Sequence, residues 1–255
     1  MTRNEHFAFD GLRVPVEIHT GPDRPLLYLP GFGVHPRNYR EGMRRLARHF
    51  TVFMPDLSFR THRDLPDNVA AYRIFAHDFA LHYAPEAPRA GHSFGGLLAL
   101  LGNRPAVALA PMIPIMAGWP RKVGRAALLQ AREYVGLEGA RGVGWAFHIF
   151  GEYVRTAAIR PRCLFSAVSE TLGRIPDEFL PAAPRSVLVL ARKDRLYLQR
   201  EYDAYLSRAD CSCVETRFVS RGHDWPITHP ALVERELLAA LDGSDRWGAD
   251  GRAQS

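Results

Sequence analysis

Lysine is almost missing from this chain of 255 residues: of its 33 basic residues only Lys122 and Lys193 are lysines, and the rest are arginines. Cysteine is scarce too. Cys163, Cys211 and Cys213 are an odd number at no zinc-ligand spacing, which predicts reduced thiols rather than a disulfide framework or a structural metal. Cys211 and Cys213 fall on one face of a predicted strand and read as small apolar residues. Long hydrophobic runs are absent. The longest are a few residues, such as Leu97 to Leu101, too short for a membrane-spanning helix. The opening Met1-Thr2-Arg3-Asn4-Glu5-His6 has no apolar run after its basic residue, so no secretory leader is expected and the chain is read as cytoplasmic. No internal repeat is found. What is plentiful is apolar content, at 47%, enough for one large core without staples.

The net charge of +6 invites a nucleic-acid partner, yet the arginines are dispersed, with no basic arm, finger pattern or aromatic RNA motif beside them. No nucleic-acid and no membrane partner is expected. The densest patch is Arg37, Arg40, Arg44, Arg45 and Arg48. Tyr39, Met43, Leu46, Ala47 and Phe50 recur between them at helical spacing, so the arginines occupy the wet face of a helix over 39–50. That face is either simply solvated or a dock for an acidic partner such as an acyl carrier.

Apolar runs at Pro25–Leu29 and Thr51–Met54 suit parallel strands buried on both faces, with the 39–50 helix between them. Short strands at Phe7–Phe9 and Val14–His19 join across Asp10-Gly11. A second helix is predicted over 68–83, with Tyr72, Phe75, Phe79 and Tyr83 on one side, and a third after Gly95 and Gly96 through Leu97–Leu101. Strands resume at Ala106–Ala110, Ser186–Ala191 and Val214–Val219, with helices at 198–208 and 230–241. This alternation predicts an α/β fold, a mostly parallel twisted sheet with helices on both faces. Residues 1–113 and 182–242 form that core. Residues 114–181 read as a helical insertion holding Trp119, Trp145, Phe147, Phe150, Tyr153 and Phe165, which line an acyl pocket or form the insertion's own core. Residues 243–255 read as a frayed polar tail.

One short motif carries chemistry. Gly91-His92-Ser93-Phe94-Gly95, followed by Gly96, lies between a predicted strand and a helix, where a sharp turn lifts the Ser93 hydroxyl above the sheet. A Cβ at the flanking glycines would strike the neighbouring strand or helix. A serine hydroxyl needs a base, and the base an orienting acid. Asp194 follows the strand 186–191 and His223 follows the strand 214–219, so parallel strands deliver all three to one edge. The sequence resembles the α/β-hydrolase superfamily, whose nucleophile, acid and base come in the order Ser, Asp, His, and whose variable cap falls where residues 114–181 do.

The resemblance implies that Ser93 is the nucleophile, His223 the general base and Asp194 the residue that orients it. It also implies oxyanion donors in the backbone N–H groups of Phe94 and of Phe32, the latter in Pro30-Gly31-Phe32-Gly33. Pro30 stands where the family usually has histidine. Asp224, beside His223, is a local rival for Asp194. His92 is read as packing, its side chain aimed away from the site. Asp78 and His82 share a helix face at metal-binding spacing but lack a third ligand, so no metal is expected. The implied activity is hydrolysis of a small-molecule ester or thioester with a largely apolar acyl group, without cofactor. Serine at the elbow, in place of aspartate, argues against dehalogenase chemistry. A non-catalytic ligand-binding relative and a carbon–carbon bond hydrolase using the same triad stay open.

Overall fold

The computed structural model describes residues 1–31, 33–58, 69–113, 151, 185–194, 196–207 and 214–242. Its first elements are strands β1 (Thr2–Phe9) and β2 (Leu12–His19), an antiparallel hairpin turning on Asp10 and Gly11. Both turn residues have positive φ, 48° and 76°, the turn chemistry that matches strand twist in a two-residue hairpin. The strands are longer than the alternating residues alone predict, because backbone pairing continues past them.

Next come β3 (Pro25–Leu29), α1 (Arg40–Leu46), β4 (Thr51–Pro55), α2 (Val69–Tyr83), β5 (Arg89–His92), α3 (Phe94–Leu100) and β6 (Ala106–Leu109). Then follow β7 (Ser186–Ala191), α4 (Gln199–Leu206), β8 (Val214–Val219), α5 (Trp225–Thr228) and α6 (Pro230–Asp242). The eight strands form one sheet in the order β1-β2-β4-β3-β5-β6-β7-β8, parallel from β4 to β8. The expected α/β class is what is observed.

Each central strand buries both faces. Leu26 and Tyr28 of β3 join the core under α1, α5 and α6, whereas Leu27 and Leu29 join the core under α2, α3 and α4. Val107 and Leu109 of β6 alternate with Ala106 and Ala108 in the same way. The chain turns one way from β3 to β4 and the other way from β5 onward, so the C-terminal ends of β3 and β5 flank a topological switch point.

The expected helix over 39–50 is corrected: α1 ends at Leu46, and residues 47–49 form turns. Tyr39, Met43, Leu46 and Phe50 are all buried, so a helical period survives in the side chains although the helix itself stops. The third helix starts earlier than expected and includes Gly95 and Gly96. A 3₁₀ turn at Pro36–Asn38 and the short α5 carry no periodic signal and were not foreseen. The arginines of α1 and of the turn after it are partly engaged within the chain. Arg40 forks onto Glu17 of β2, and Arg48 onto Glu234 of α6. The insertion at 114–181 lies outside the described residues apart from residue 151, which is helical; the tail at 243–255 and all three cysteines lie outside them as well. Among the described residues no helix is long and apolar enough to cross a membrane.

Candidate active site

Three glycines set the turn that carries Ser93. A Cβ on Gly91 would lie 2.3 Å from the Gly95 carbonyl oxygen, and one on Gly95 would lie 2.0 Å from the Leu29 carbonyl oxygen. One on Gly96 would press at 3.1–3.2 Å on Gly91 and Pro111. At positions 91 and 95 only hydrogen fits between β3, β5 and α3. Ser93 itself sits at φ 51° and ψ −115°, a conformation that side chains other than glycine seldom adopt. It is held there by its neighbours: its N–H donates to the Leu109 carbonyl at 3.1 Å, and its carbonyl accepts from Met112 at 2.8 Å. The strained turn leaves the side chain half-buried at the head of α3.

The loops after β7 and β8 bring the partners. His223 Nε2 lies 2.9 Å from Ser93 Oγ, and His223 Nδ1 lies 2.8 Å from Asp194 Oδ2. Both Asp194 and His223 are buried. The other Asp194 oxygen accepts from the backbone N–H groups of Leu196 and Tyr197, at 2.8 and 3.0 Å, which fixes the carboxylate's rotation. The Tyr197 ring stands 5.7 Å from the His223 ring, and Tyr202 anchors the loop after β6 through its hydroxyl on the Pro111 carbonyl. The three side chains singled out in the sequence therefore meet, with Asp194 rather than Asp224 on the imidazole. Asp224 instead lies 3.7 Å from His92 Nε2.

His92 corrects an expectation. It is buried, but it is not inert packing aimed away from the site. Its Nε2 lies 3.2 Å from the His223 carbonyl, and its Nδ1 lies 2.8 Å from the Tyr39 hydroxyl, which accepts the Gly31 N–H at 2.9 Å. A carbonyl only accepts, so Nε2 carries the proton and Tyr39 donates to Nδ1. Burial holds the His92 imidazole at about 3, with the neighbouring His223 pushing the same way, so it stays neutral. The result is one continuous chain, Gly31 to Tyr39 to His92 to His223, tying the loop after β3 to the loop carrying the base. Sequence reasoning placed Tyr39 on an apolar helix face and could not see where its hydroxyl points.

Phe94, the first residue of α3, presents its N–H at the helix end beside Ser93, and its buried ring meets Tyr72 edge-on at 5.1 Å. Phe32 lies outside the described residues. Its neighbour Gly31 is in place: a Cβ there would sit 3.6 Å from the Ser93 Cβ. Among the described residues, one group of metal-ligand types comes together, His92, His223 and Asp224, with ligand atoms within 4.8 Å. Both ring nitrogens of His223 already face Ser93 and Asp194, and both of His92 face Tyr39 and a carbonyl, so the set has no spare triad of donors.

A profile of the alpha/beta hydrolase family matches residues 26–236. The chain belongs to the alpha/beta hydrolase family. No curated protein matches the sequence. Similar solved structures include a serine hydrolase involved in carbazole degradation, the CarC enzyme. It is 17% identical with a TM-score of 0.72, over 95% of this chain and 99% of that one. The thioesterase domain from the curacin biosynthetic pathway is 15% identical with a TM-score of 0.66, over 93% and 99%. The haloalkane dehalogenase DbeA from Bradyrhizobium elkani USDA94 is 16% identical with a TM-score of 0.68, over 97% and 100%. At these identities the likeness is one of fold. This alpha/beta hydrolase shares its scaffold with proteins of different named chemistries, so its own must be argued from its site.

Proposed function

We propose that the protein is a serine hydrolase that cleaves a carboxylic ester or thioester with a largely apolar acyl group. The observation that carries this reading is the unbroken relay from Ser93 Oγ through both nitrogens of His223 to Asp194, at 2.9 and 2.8 Å. Ser93 attacks the carbonyl carbon while His223 Nε2 takes its proton. Asp194 holds the ring in the tautomer that accepts at Nε2 and stabilises the imidazolium that forms. The developing oxyanion is met by the N–H of Phe94 and, on the family pattern, of Phe32. His223 then protonates the departing alcohol or thiol. In the second half it deprotonates a water molecule, whose attack on the acyl-enzyme releases the acid and frees Ser93. The apolar acyl preference rests on the aromatic content of residues 114–181.

A fluorophosphonate probe tests the reading directly. The native chain should be labelled covalently, Ser93→Ala should not, and Asp194→Asn should hydrolyse a short-chain ester about 10²–10⁴-fold more slowly. A correctly folded native chain that resists labelling would overturn the proposal in favour of a ligand-binding role. Rates on a panel of esters, thioesters and carbon–carbon bond substrates then identify the bond cleaved.

A further inference from the structure

The opposite end of β5 from Ser93 presents a different chemistry. Arg89, the first residue of the strand, forms the floor of a cavity of about 510 Å³ together with Leu98, Leu101 and Gly102. Arg73, Ile74 and His77 of α2 and Asn103 form much of its rim, and all four are exposed. Arg89 is only 4% exposed. Among the described residues its Nε, sealed from water, has no hydrogen-bond partner, and its side chain makes a long hydrogen bond, 3.4 Å from Nη2 to Asn103 Oδ1. Among the described residues no carboxylate pairs with Arg89, Arg73 or His77. The charge that acts most on Arg89 is the like charge of Arg104, which is itself taken up by Glu86. Burial and Arg104 together push the guanidinium down.

A buried cation without a counter-charge is among the most costly arrangements a fold can keep. Proximity to the end of α3 offsets only a small part of that cost, since a helix terminus carries about half a charge. The chain nevertheless makes room for it. A Cβ on residue 102 would lie 2.3 Å from Arg89 Nη1, so Gly102 is what lets the guanidinium lie in the floor. Cationic groups stand on two sides of one concavity, from β5 and from α2, while Ile74, Leu98 and Leu101 supply apolar wall.

We propose that this cavity is a binding site, separate from Ser93, for the phosphate group of a small apolar phosphomonoester. The phosphate sits between the Arg89 guanidinium below and Arg73 and His77 above, and Asn103 donates through its amide. The apolar substituent lies along Ile74 and Leu101. A guanidinium fork matches two phosphate oxygens, and Arg73 and a His77 ring N–H address the third.

Calorimetric titration of the full chain carrying Ser93→Ala tests this without turnover at the other site. The probes are n-hexyl phosphate, inorganic phosphate and hexanoate. The expected result is saturable one-to-one binding of hexyl phosphate, tighter than inorganic phosphate and hexanoate. The double substitution Arg73→Gln with His77→Gln, both at exposed positions, should weaken it at least about tenfold while the circular dichroism spectrum stays unchanged. Arg89→Met should abolish it, and hexyl phosphate should raise the melting temperature of the Arg89 protein but not of the Met variant. Absence of saturable heat up to about 10 mM hexyl phosphate overturns the site. Affinity untouched by the α2 substitutions overturns the residues assigned to it, and hexanoate binding as tightly as hexyl phosphate overturns the phosphate.

Discussion

His92 illustrates how much one side chain can decide at this site. Its neighbours require a neutral ring protonated at Nε2, and burial holds its titration at about 3. In an unfolded chain the same group titrates near 6.5. Between those values the unfolded state binds a proton that the folded state refuses, so stability is lost as pH falls through about 6.5 toward 3. The loss approaches about 1.4 kcal/mol per pH unit for one such group. Urea melts between pH 7 and 4.5 should show a steeper decline for the native chain than for His92→Gln. An identical slope in the two would mean that His92 is not held neutral. The residue was legible in the sequence only as a neighbour of Ser93. Its partners, Tyr39 and the His223 carbonyl, are 53 and 131 positions away, a distance no local pattern spans.

At the scale of elements, β2 and α1 are joined by one ion pair that the sequence shows only as a charge on each. Glu17 is nearly buried in β2, and Arg40 reaches it with a 2.6 Å contact from Nη2 while Nε spans both oxygens. Burial alone would raise the Glu17 carboxyl. The His19 imidazole at 3.5 Å and the Arg40 fork outweigh it and hold the group at about 2. A depressed carboxylate contributes stability above its unfolded value of about 4.3 and loses it as pH falls toward 2. This window opens lower than that of His92 and overlaps it only below about 4.3, so between about 6.5 and 4.3 the decline reports His92 alone. Arg40→Gln should cost about 1–3 kcal/mol at pH 7, because it strands a buried charge, and the double variant with Glu17→Gln should recover part of that loss. Chemical denaturation at pH 7 and pH 3 measures both. The strands themselves were readable from short apolar runs, since a doubly buried strand must be apolar at every position. The end of α1 was not, because the buried period continues into turns whose side chains still face the core.

For the molecule as a whole, the hairpin at the start of the chain closes one edge of the sheet. β2 pairs with β4, and Phe7 of β1 packs edge-on against Phe75 and Phe79 of α2 at 5.6 and 5.5 Å. β1, at the outer edge, is mostly exposed and carries Arg3 and Glu5, which discourage pairing with another copy. Removal of residues 1–19 would bare both the unpaired edge of β4 and the aromatic face of α2. Such a chain should aggregate or elute as oligomers in size-exclusion chromatography where the full chain runs as a discrete species. A discrete, soluble truncated form would show that the hairpin is an accessory rather than the cover of the core.

The order of apolar runs and turns determined the α/β class without any tertiary information, because the pattern of burial is written directly into residue type. The glycines around Ser93 were equally legible, since only hydrogen fits where backbone meets backbone. What the three-dimensional arrangement alone decided is which groups touch: Asp194 rather than Asp224 on His223, Tyr39 on His92, Arg40 on Glu17, and Arg89 beneath a cavity with no carboxylate among the described residues to meet it. Such contacts depend on where the winding of the chain reverses and how the loops at the strand ends descend. A polar side chain has the same identity in the sequence whether it finds a partner or not.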